Sequence, residues 1–365
     1  MPSKSKTSST SEKPSHDIER GNPASFKPKY LVLDDINVDF ISFNIFAATG
    51  VAYLLSYIDR TIALAALTAG LLPLRLIFPR SKTPFGTVLI TGASSGLGAE
   101  FSYIFASKGH DLILVARNED QLGVVKNNIE EKYHVQVDTI SIDLSVPGSA
   151  QDVYDQVTKD KQRTVNVLVN AAALGAAGDP FEQPVELVER MTTLNCISLV
   201  QLTRLFGRDM IERGTGWLLH VTSVGAWIAS PGQNLYHSSK HFVRAFSEAL
   251  SLELRAYPGI VNTNLMPGPA HTQFITRSHA EETVMMAASG AVEDPKSVAL
   301  AGYNGLCKGK ASVFSSYNAA MTTTLFRFLP RSVHLTLASF LNLPLRGWLR
   351  AKEPLGEQRE RGEHL

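Results

Sequence analysis

From Thr87 to Met266 six short apolar runs alternate with amphipathic or polar segments of helical length. The runs are TVLI (87–90), DLILVAR (111–117), VDTISID (137–143), VNVLVN (165–170), WLLHVTS (217–223) and IVNTNLM (260–266), with ASVFSS (311–316) as a seventh. This alternation predicts an α/β fold, a parallel sheet with helices on both faces, spanning residues 85–320 as one domain. The first intervening helix is expected to end at Gly109, as a C-terminal cap would. There is no internal repeat.

The stretch TVLITGASSGLGAEF puts Gly92, Gly96 and Gly98 in the turn between the first strand and its helix. Glycines there let the backbone turn tightly and approach a pyrophosphate, whose charge meets the amino end of the helix. Ser94, Ser95 and Leu97 belong to the same cradle. The spacing is G-x-x-x-G-x-G, and its position at the start of an alternating domain favours dinucleotide binding over an ordinary loop. In an NAD site an acidic residue at the end of the second strand takes the ribose hydroxyls, whereas here that end reads Ala116-Arg117. An arginine suits a ribose 2′-phosphate, so the cofactor is predicted to be NADP(H).

A second constellation is YHSSK. Tyr236 and Lys240 stand four apart, on one face of a helix, thirteen residues after Ser223 at the end of an apolar run. A free tyrosine titrates near ~10. A neighbouring ammonium favours the phenolate and is expected to draw that value toward the working range, making the tyrosine usable as acid or base. His237 and His241 are also four apart, but the glutamate of the zinc-protease pattern is missing and a lysine stands between them, so no metal site is assigned. His220 and His271 read as hydrogen-bonded structural histidines. Cys196 and Cys307 read as packing thiols rather than a disulfide or metal knuckle.

Taken in order, Thr91-Gly92-x-x-x-Gly96-x-Gly98, Asp143 in SIDLS, Ser223 and Tyr236-x-x-x-Lys240 resemble the short-chain dehydrogenase/reductase family over residues 85–320. The resemblance implies a Rossmann-type doubly wound parallel sheet in a single catalytic domain. It implies that Tyr236 exchanges a proton with a carbonyl oxygen and that Ser223 hydrogen-bonds that oxygen. Lys240 would hold the nicotinamide ribose and lower the tyrosine pKa, and Asn195 would support a proton-relay water. Asp143 would sit by the adenine and Asn170 by its ribose. PGPAHT would put Pro267, Ala270 and Thr272 around the carboxamide and phosphates. One departure is Asn170-Ala171-Ala172-Ala173, where the family has Asn-Asn-Ala-Gly. An amide is missing there and a methyl replaces hydrogen at a close-packed turn, although much of that turn's role is carried by backbone. The helices carrying NCISLVQLTRLF and YHSSKHFVRAFSEALSLEL are implied to pair across a homodimer, a contact that membrane anchoring could assist or replace.

The rest of the chain is organised differently. Residues 1–30 are rich in Ser, Pro and Lys without apolar periodicity and are expected to form a disordered tail. Residues 36–80 are expected to be a membrane anchor. Phe40–Ile58 carries no charge and Thr61–Phe78 is apolar apart from an interruption at Pro73 and Arg75. Lys27 and Lys29 before the pair, and Arg80 and Lys82 after it, suit a hairpin or monotopic anchor with a cytosolic catalytic domain, at the endoplasmic reticulum or a lipid droplet. Residues 321–365 mix Leu, Phe and Trp with Arg and Lys before a charged end. Such an extension could lie on a bilayer, on the substrate entrance or packed on the domain.

With 35 Lys and Arg against 34 Asp and Glu, the chain offers no strong electrostatic attraction to nucleic acid. An apolar small-molecule substrate is expected from the anchor and from FITRSHAEETVMMAASG (274–290), where Phe274, Met285 and Met286 could line a pocket. The expected reaction is reduction of a ketone on a keto-lipid, steroid, terpenoid or polyketide, or its reverse. The alternative is a catalytically silent scaffold with this fold, and the complete set Asn195, Ser223, Tyr236 and Lys240 weighs against it.

Overall fold

The computed structural model describes Thr49 and residues 83–342, apart from 179, 182 and 273–291 and the side chains of 341 and 342. The expected polar tail, the two apolar runs apart from Thr49, Phe274, Met285 and Met286, and the charged end all lie outside the described residues. Among the described residues no helix is long and apolar enough to cross a membrane. The chain divides into Met1–Phe78 and Pro79–Leu365, and the second unit carries the fold.

Seven parallel strands form one sheet: β1 (Thr87–Thr91), β2 (Leu112–Ala116), β3 (Val137–Ser141), β4 (Val165–Asn170), β5 (Gly216–Val221), β6 (Ile260–Met266) and β7 (Ser312–Phe314). Their order is β3-β2-β1-β4-β5-β6-β7. The register brings Thr91 beside Asn170 and Asn170 beside His220, so the central strands end together. β2 reads LILVA and every residue is buried, which is why it suits a sheet covered on both faces.

The covering helices start where local chemistry satisfies their free N–H groups. In α1 (Gly96–Ala106) the amino end is left without a side-chain cap. In α2 (Glu119–Tyr133) the Asn118 side chain accepts from Gln121 N at 2.8 Å. Next in the chain are α3 (Ser149–Asp155), α4 (Val185–Thr192), α5 (Leu199–Arg213), α6 (Asn234–Glu253) and α7 (Pro295–Cys307). Asp294 caps α7 and Pro295 occupies its first turn, where a missing N–H costs nothing. The C-terminal α8 (Tyr317–Phe328) is capped by Ser316 and followed by α9 (Arg331–Asn342). The first helix ends at Ala106, earlier than the expected Gly109. Gly109 still adopts a left-handed φ of 81°, but in the turn that follows.

Two apolar cores sandwich the sheet. Phe101, Phe105 and Trp217 pack on one face with α7 residues such as Val298 and Leu306. Phe206, Met210, Leu202 and Leu254 pack on the other. The chain reverses direction across the sheet between β1 and β4, so a crevice opens at the carboxyl ends of those strands, where ligands bind in folds of this topology.

Candidate active site

β1 runs into the crevice at Thr91, and Gly92 turns the chain with φ 69°. A Cβ on Gly92 would lie 2.8 Å from Ala172 Cα, so only glycine lets the turn between β1 and α1 pack against the end of β4. Thr91 Oγ1 accepts from the backbone N–H groups of Ala171 and Ala172, each at 3.1 Å. The Asn-Ala-Ala-Ala segment is therefore held through its backbone, and its alanines fit because the neighbouring turn is glycine. Gly96 also has positive φ and opens α1 against Thr272. The first turn of α1 has no acidic residue, so its N–H groups and the positive end of its dipole face the crevice uncompensated.

A cavity of about 450 Å³ starts at this cradle. Gly92, Ser94, Ser95, Gly96, Leu97, Gly98, Arg117, Asp143, Ser223, Tyr236, Lys240, Pro267, Ala270 and Thr272 all line it. At the Arg117 end, Asp143 accepts from Ser145 N at 2.9 Å and from Ser145 Oγ at 2.7 Å. Burial works to raise the Asp143 carboxyl, but the Ser145 bonds and the charges of Arg190 and Arg117 outweigh it and hold it below the usual carboxylate value. Arg190, from α4, reaches Asp143 at 3.5 Å. No local pattern signals Arg190's part, because it arrives from an element far along the chain.

At the other end, Ser223 sits in extended backbone after β5 and its Oγ accepts from Gly225 N at 3.0 Å. Tyr236 on α6 is half-buried and hydrogen-bonds Ser223. Lys240 is 3% exposed and its Nζ donates to Val221 O at 2.9 Å. Contrary to expectation, the tyrosine pKa is not drawn down. Burial pushes the phenol up to about 12, only partly opposed by the Ser223 bond. The ammonium is anchored on the Val221 carbonyl, 5.7 Å from the tyrosine ring centroid, and is itself lowered by burial to about 8. In this buried pocket desolvation outweighs the attraction between ammonium and phenolate. The phenol thus stays protonated at neutral pH and is poised to give a proton rather than to take one.

Two predicted residues do not face the cavity. The Asn170 amide donates to Thr203 Oγ1 at 3.1 Å and lies against His220 Nδ1, inside the core. Asn195 is 1% exposed, in a π-helical turn (Thr193–Ser198) between α4 and α5. Its Oδ1 accepts from Leu174 N at 2.8 Å, while Nδ2 donates to Leu174 O and to Ser239 Oγ. Ser239 in turn donates to Tyr236 O at 2.7 Å, so Asn195 ties the cavity wall to the helix that presents the tyrosine. His237 Nδ1 lies 2.6 Å from Ile228 O, and His241 Nδ1 lies 2.8 Å from His237 O, which engages both rings with backbone. Burial of Cys196 pushes its thiol up to about 11, in keeping with packing.

The far wall comes partly from the start of the C-terminal extension, for which a place at the substrate entrance is one expectation. Ile228 and Phe326 meet there in an apolar cluster, and Ala319, Thr322 and Phe326 bring α8 to the cavity. Glu293 closes the near side, accepting from Ser316 Oγ at 2.6 Å. An adenine dinucleotide fits these residues. The glycine cradle leaves room where any side chain would intrude, the helix end and Arg117 offer positive charge, and a hydroxyl, a phenol and an ammonium converge opposite.

The family model described as short chain dehydrogenase matches residues 86–283. The chain is similar to Dehydrogenase/reductase SDR family member 7 of Homo sapiens, 32% identical over 201 residues, which are 53% of this chain and 58% of that protein. It is also similar to the very-long-chain 3-oxoacyl-CoA reductase of Mus musculus, 30% identical over 189 residues, 49% of this chain and 57% of that protein. The matches thus span little more than half the length of these curated relatives. Among solved structures, a short-chain dehydrogenase from Sphingobium yanoikuyae in complex with NADPH is 26% identical with a TM-score of 0.59, covering 68% of this chain and 98% of that one. A 7β-hydroxysteroid dehydrogenase shares the fold at a TM-score of 0.62 and 21% identity, covering 70% of this chain and 97% of that one.

Proposed function

The chain belongs to the short chain dehydrogenase family, and from that premise we propose that it is an NADPH-dependent reductase converting a ketone on an apolar molecule to a secondary alcohol. The observation that carries this reading is the hydrogen-bonded pair of Ser223 and Tyr236 on the cavity wall, with the phenol kept protonated by burial. NADPH, when bound, supplies the hydride. The residues of the glycine turn, Asp143, Pro267, Ala270 and Thr272 would hold it.

Ser223 Oγ hydrogen-bonds the ketone oxygen and fixes its direction. Tyr236 Oη gives that oxygen its proton as negative charge develops there. Lys240 holds a positive charge beneath the phenol, which steadies the tyrosinate left behind. Asn195 keeps α6 and the Leu174 wall in register, so that phenol and hydroxyl meet the same oxygen. In the oxidative direction the same groups run in reverse.

The reading of NADPH over NADH rests on Arg117. Arg117→Ala is expected to weaken NADPH binding by roughly tenfold or more, as befits loss of a charge-assisted contact, and to change NADH binding much less. Titration of both cofactors checks it, and equal losses would refute the assignment.

An apolar substrate is supported by the Ile228–Phe326 wall and by the two apolar runs at 40–58 and 61–78, which we read as the anchor that keeps the protein at an endoplasmic reticulum or lipid-droplet membrane. Exposed Ile197 and Phe242 support pairing of two copies across the helices that carry Asn195 and Tyr236. The experiment is incubation of the membrane-reconstituted chain with NADPH deuterated at the transferable position and a lipid extract of its host. A deuterated secondary alcohol is the expected product; tight NADPH binding with no labelled alcohol from any ketone would overturn the reading.

A further inference from the structure

α8 has two working faces. Ala319, Thr322 and Phe326 line the cavity, whereas Tyr317, Met321, Leu325 and Phe328, spaced by four, four and three residues, form an apolar stripe along another side. These four are 77%, 51%, 54% and 79% exposed. Val333 and Phe340 continue the exposed apolar surface on α9. Isolated exposed apolar residues need no explanation, but an aligned stripe does.

The polar groups on these helices ask little of water. Thr323, Thr324, Thr336 and Ser339 each turn their hydroxyl onto the carbonyl four residues back, at 2.8, 2.8, 3.0 and 2.8 Å. Hydroxyls satisfied within their own helix are compatible with an apolar surrounding. The charge pattern is equally one-sided. From Pro295 to Lys352 the chain has no Asp or Glu but has eight Lys and Arg, in a protein whose whole formal charge is +1. Arg327 and Arg331, both exposed, lie at the junction of α8 and α9, the Arg327 guanidinium 5.2 Å from the Trp227 ring centroid. An apolar face bordered by cations, in a stretch cleared of acids, is the pattern that lies in the headgroup layer of an anionic bilayer.

We propose that the outer face of α8 and α9 docks on a bilayer carrying anionic lipid, so that α8 is at once the lipid-facing surface and the wall of the cavity. An apolar ketone then passes from the bilayer past α8 to Tyr236 without crossing open water. This second part rests on the reductase reading; the docking itself does not.

The test uses the full chain reconstituted in phosphatidylcholine–phosphatidylserine vesicles, with Cys196→Ala and Cys307→Ser removing the native thiols. Spin labels are placed through Leu325→Cys, Phe328→Cys and, as a control on α2, Val124→Cys, at a position 60% exposed. Labels at 325 and 328 are expected to be relaxed by oxygen and shielded from an aqueous nickel chelate, with the opposite behaviour at 124. Chelate access at 325 and 328 would overturn the proposal in favour of a water-facing surface. Shielding from both reagents would do so in favour of a protein cover such as the Met1–Phe78 segment, and spectral broadening between labels in favour of a second copy.

A kinetic arm separates the two readings. The double variant Met321→Glu/Leu325→Glu, away from the cavity lining, is expected to keep its kcat/KM on a water-soluble ketone and to lose roughly tenfold on a ketone dissolved in the bilayer. Equal effects on both would overturn delivery through the bilayer. Absence of turnover by the unaltered chain on every ketone would instead sink the reductase reading, while the spin labels still decide the docking.

Discussion

Tyr236→Phe is expected to lower reductive turnover by about 10²–10⁴-fold, the range supplied by a positioned general acid. NADPH affinity and the unfolding temperature should hardly change. The substitution deletes one oxygen from a half-buried side chain, and the partner it leaves is not orphaned, because Ser223 Oγ still accepts from Gly225 N. The loss should therefore fall on kcat with little change in cofactor binding. Turnover within about threefold of the unaltered protein, measured in the same preparation, would remove Tyr236 from the chemistry. The pH profile gives a second check. With the phenol at about 12 and Lys240 at about 8, Tyr236 keeps its proton through neutral and mildly alkaline conditions, while the ammonium loses its charge as pH rises through about 8. Reduction should be flat through neutral pH and decline on that alkaline side. A profile governed by a group near ~6.5, where an unshifted histidine titrates, would contradict this assignment.

The sign of the tyrosine shift illustrates where sequence stops being informative. YHSSK correctly put phenol and amine on one helix, because a spacing of four is a property of the helix alone. Which effect wins between them depends on the side chain's course and on burial. Lys240 spends its ammonium on the Val221 carbonyl, a residue that no local pattern links to it. The strands were legible for a simpler reason: runs such as LILVA, apolar throughout, and VNVLVN, apolar but for its two asparagines, are of strand length, so six matched to within two residues at each end. β7 is shorter than its run, Ser312–Phe314 within 311–316. Arg190 was hidden because VELVERMT reads as an ordinary amphipathic helix, and only the fold carries that side chain to Asp143. Asn170 shows the converse: it ends β4 beside the crevice, yet the pleat turns its amide into the core. The break of the helix into a π turn at Asn195 likewise has no signature in TLNCIS.

Gly98→Ala should be the most damaging single methyl in the molecule for cofactor binding. A Cβ at this position would collide with the Gly92 carbonyl oxygen and would lie 2.6 Å from Gly92 C and 3.0 Å from Ala93 N. Those atoms are backbone, and Gly92 is itself pinned at a left-handed φ against Ala172, so the turn has no flexible side chain to give way. Relief requires the start of α1 to move off β1, which moves the N–H groups meant for the pyrophosphate. Overpacking of this kind costs about 1–3 kcal/mol in stability, and the cofactor suffers further because its binding geometry is what distorts. NADPH affinity is expected to fall by roughly a hundredfold or more, with a lower unfolding temperature. Gly123→Ala supplies the contrast. Gly123 lies within α2 with nothing within 4 Å of its would-be Cβ, so alanine there should raise stability by about 0.5–1 kcal/mol through helix propensity and leave NADPH binding unchanged. Equal behaviour of the two alanines in a cofactor titration would mean that the contact between Gly92 and Gly98 does not shape the site. Opposite signs would tie the glycine spacing read in the sequence directly to the atoms that require it.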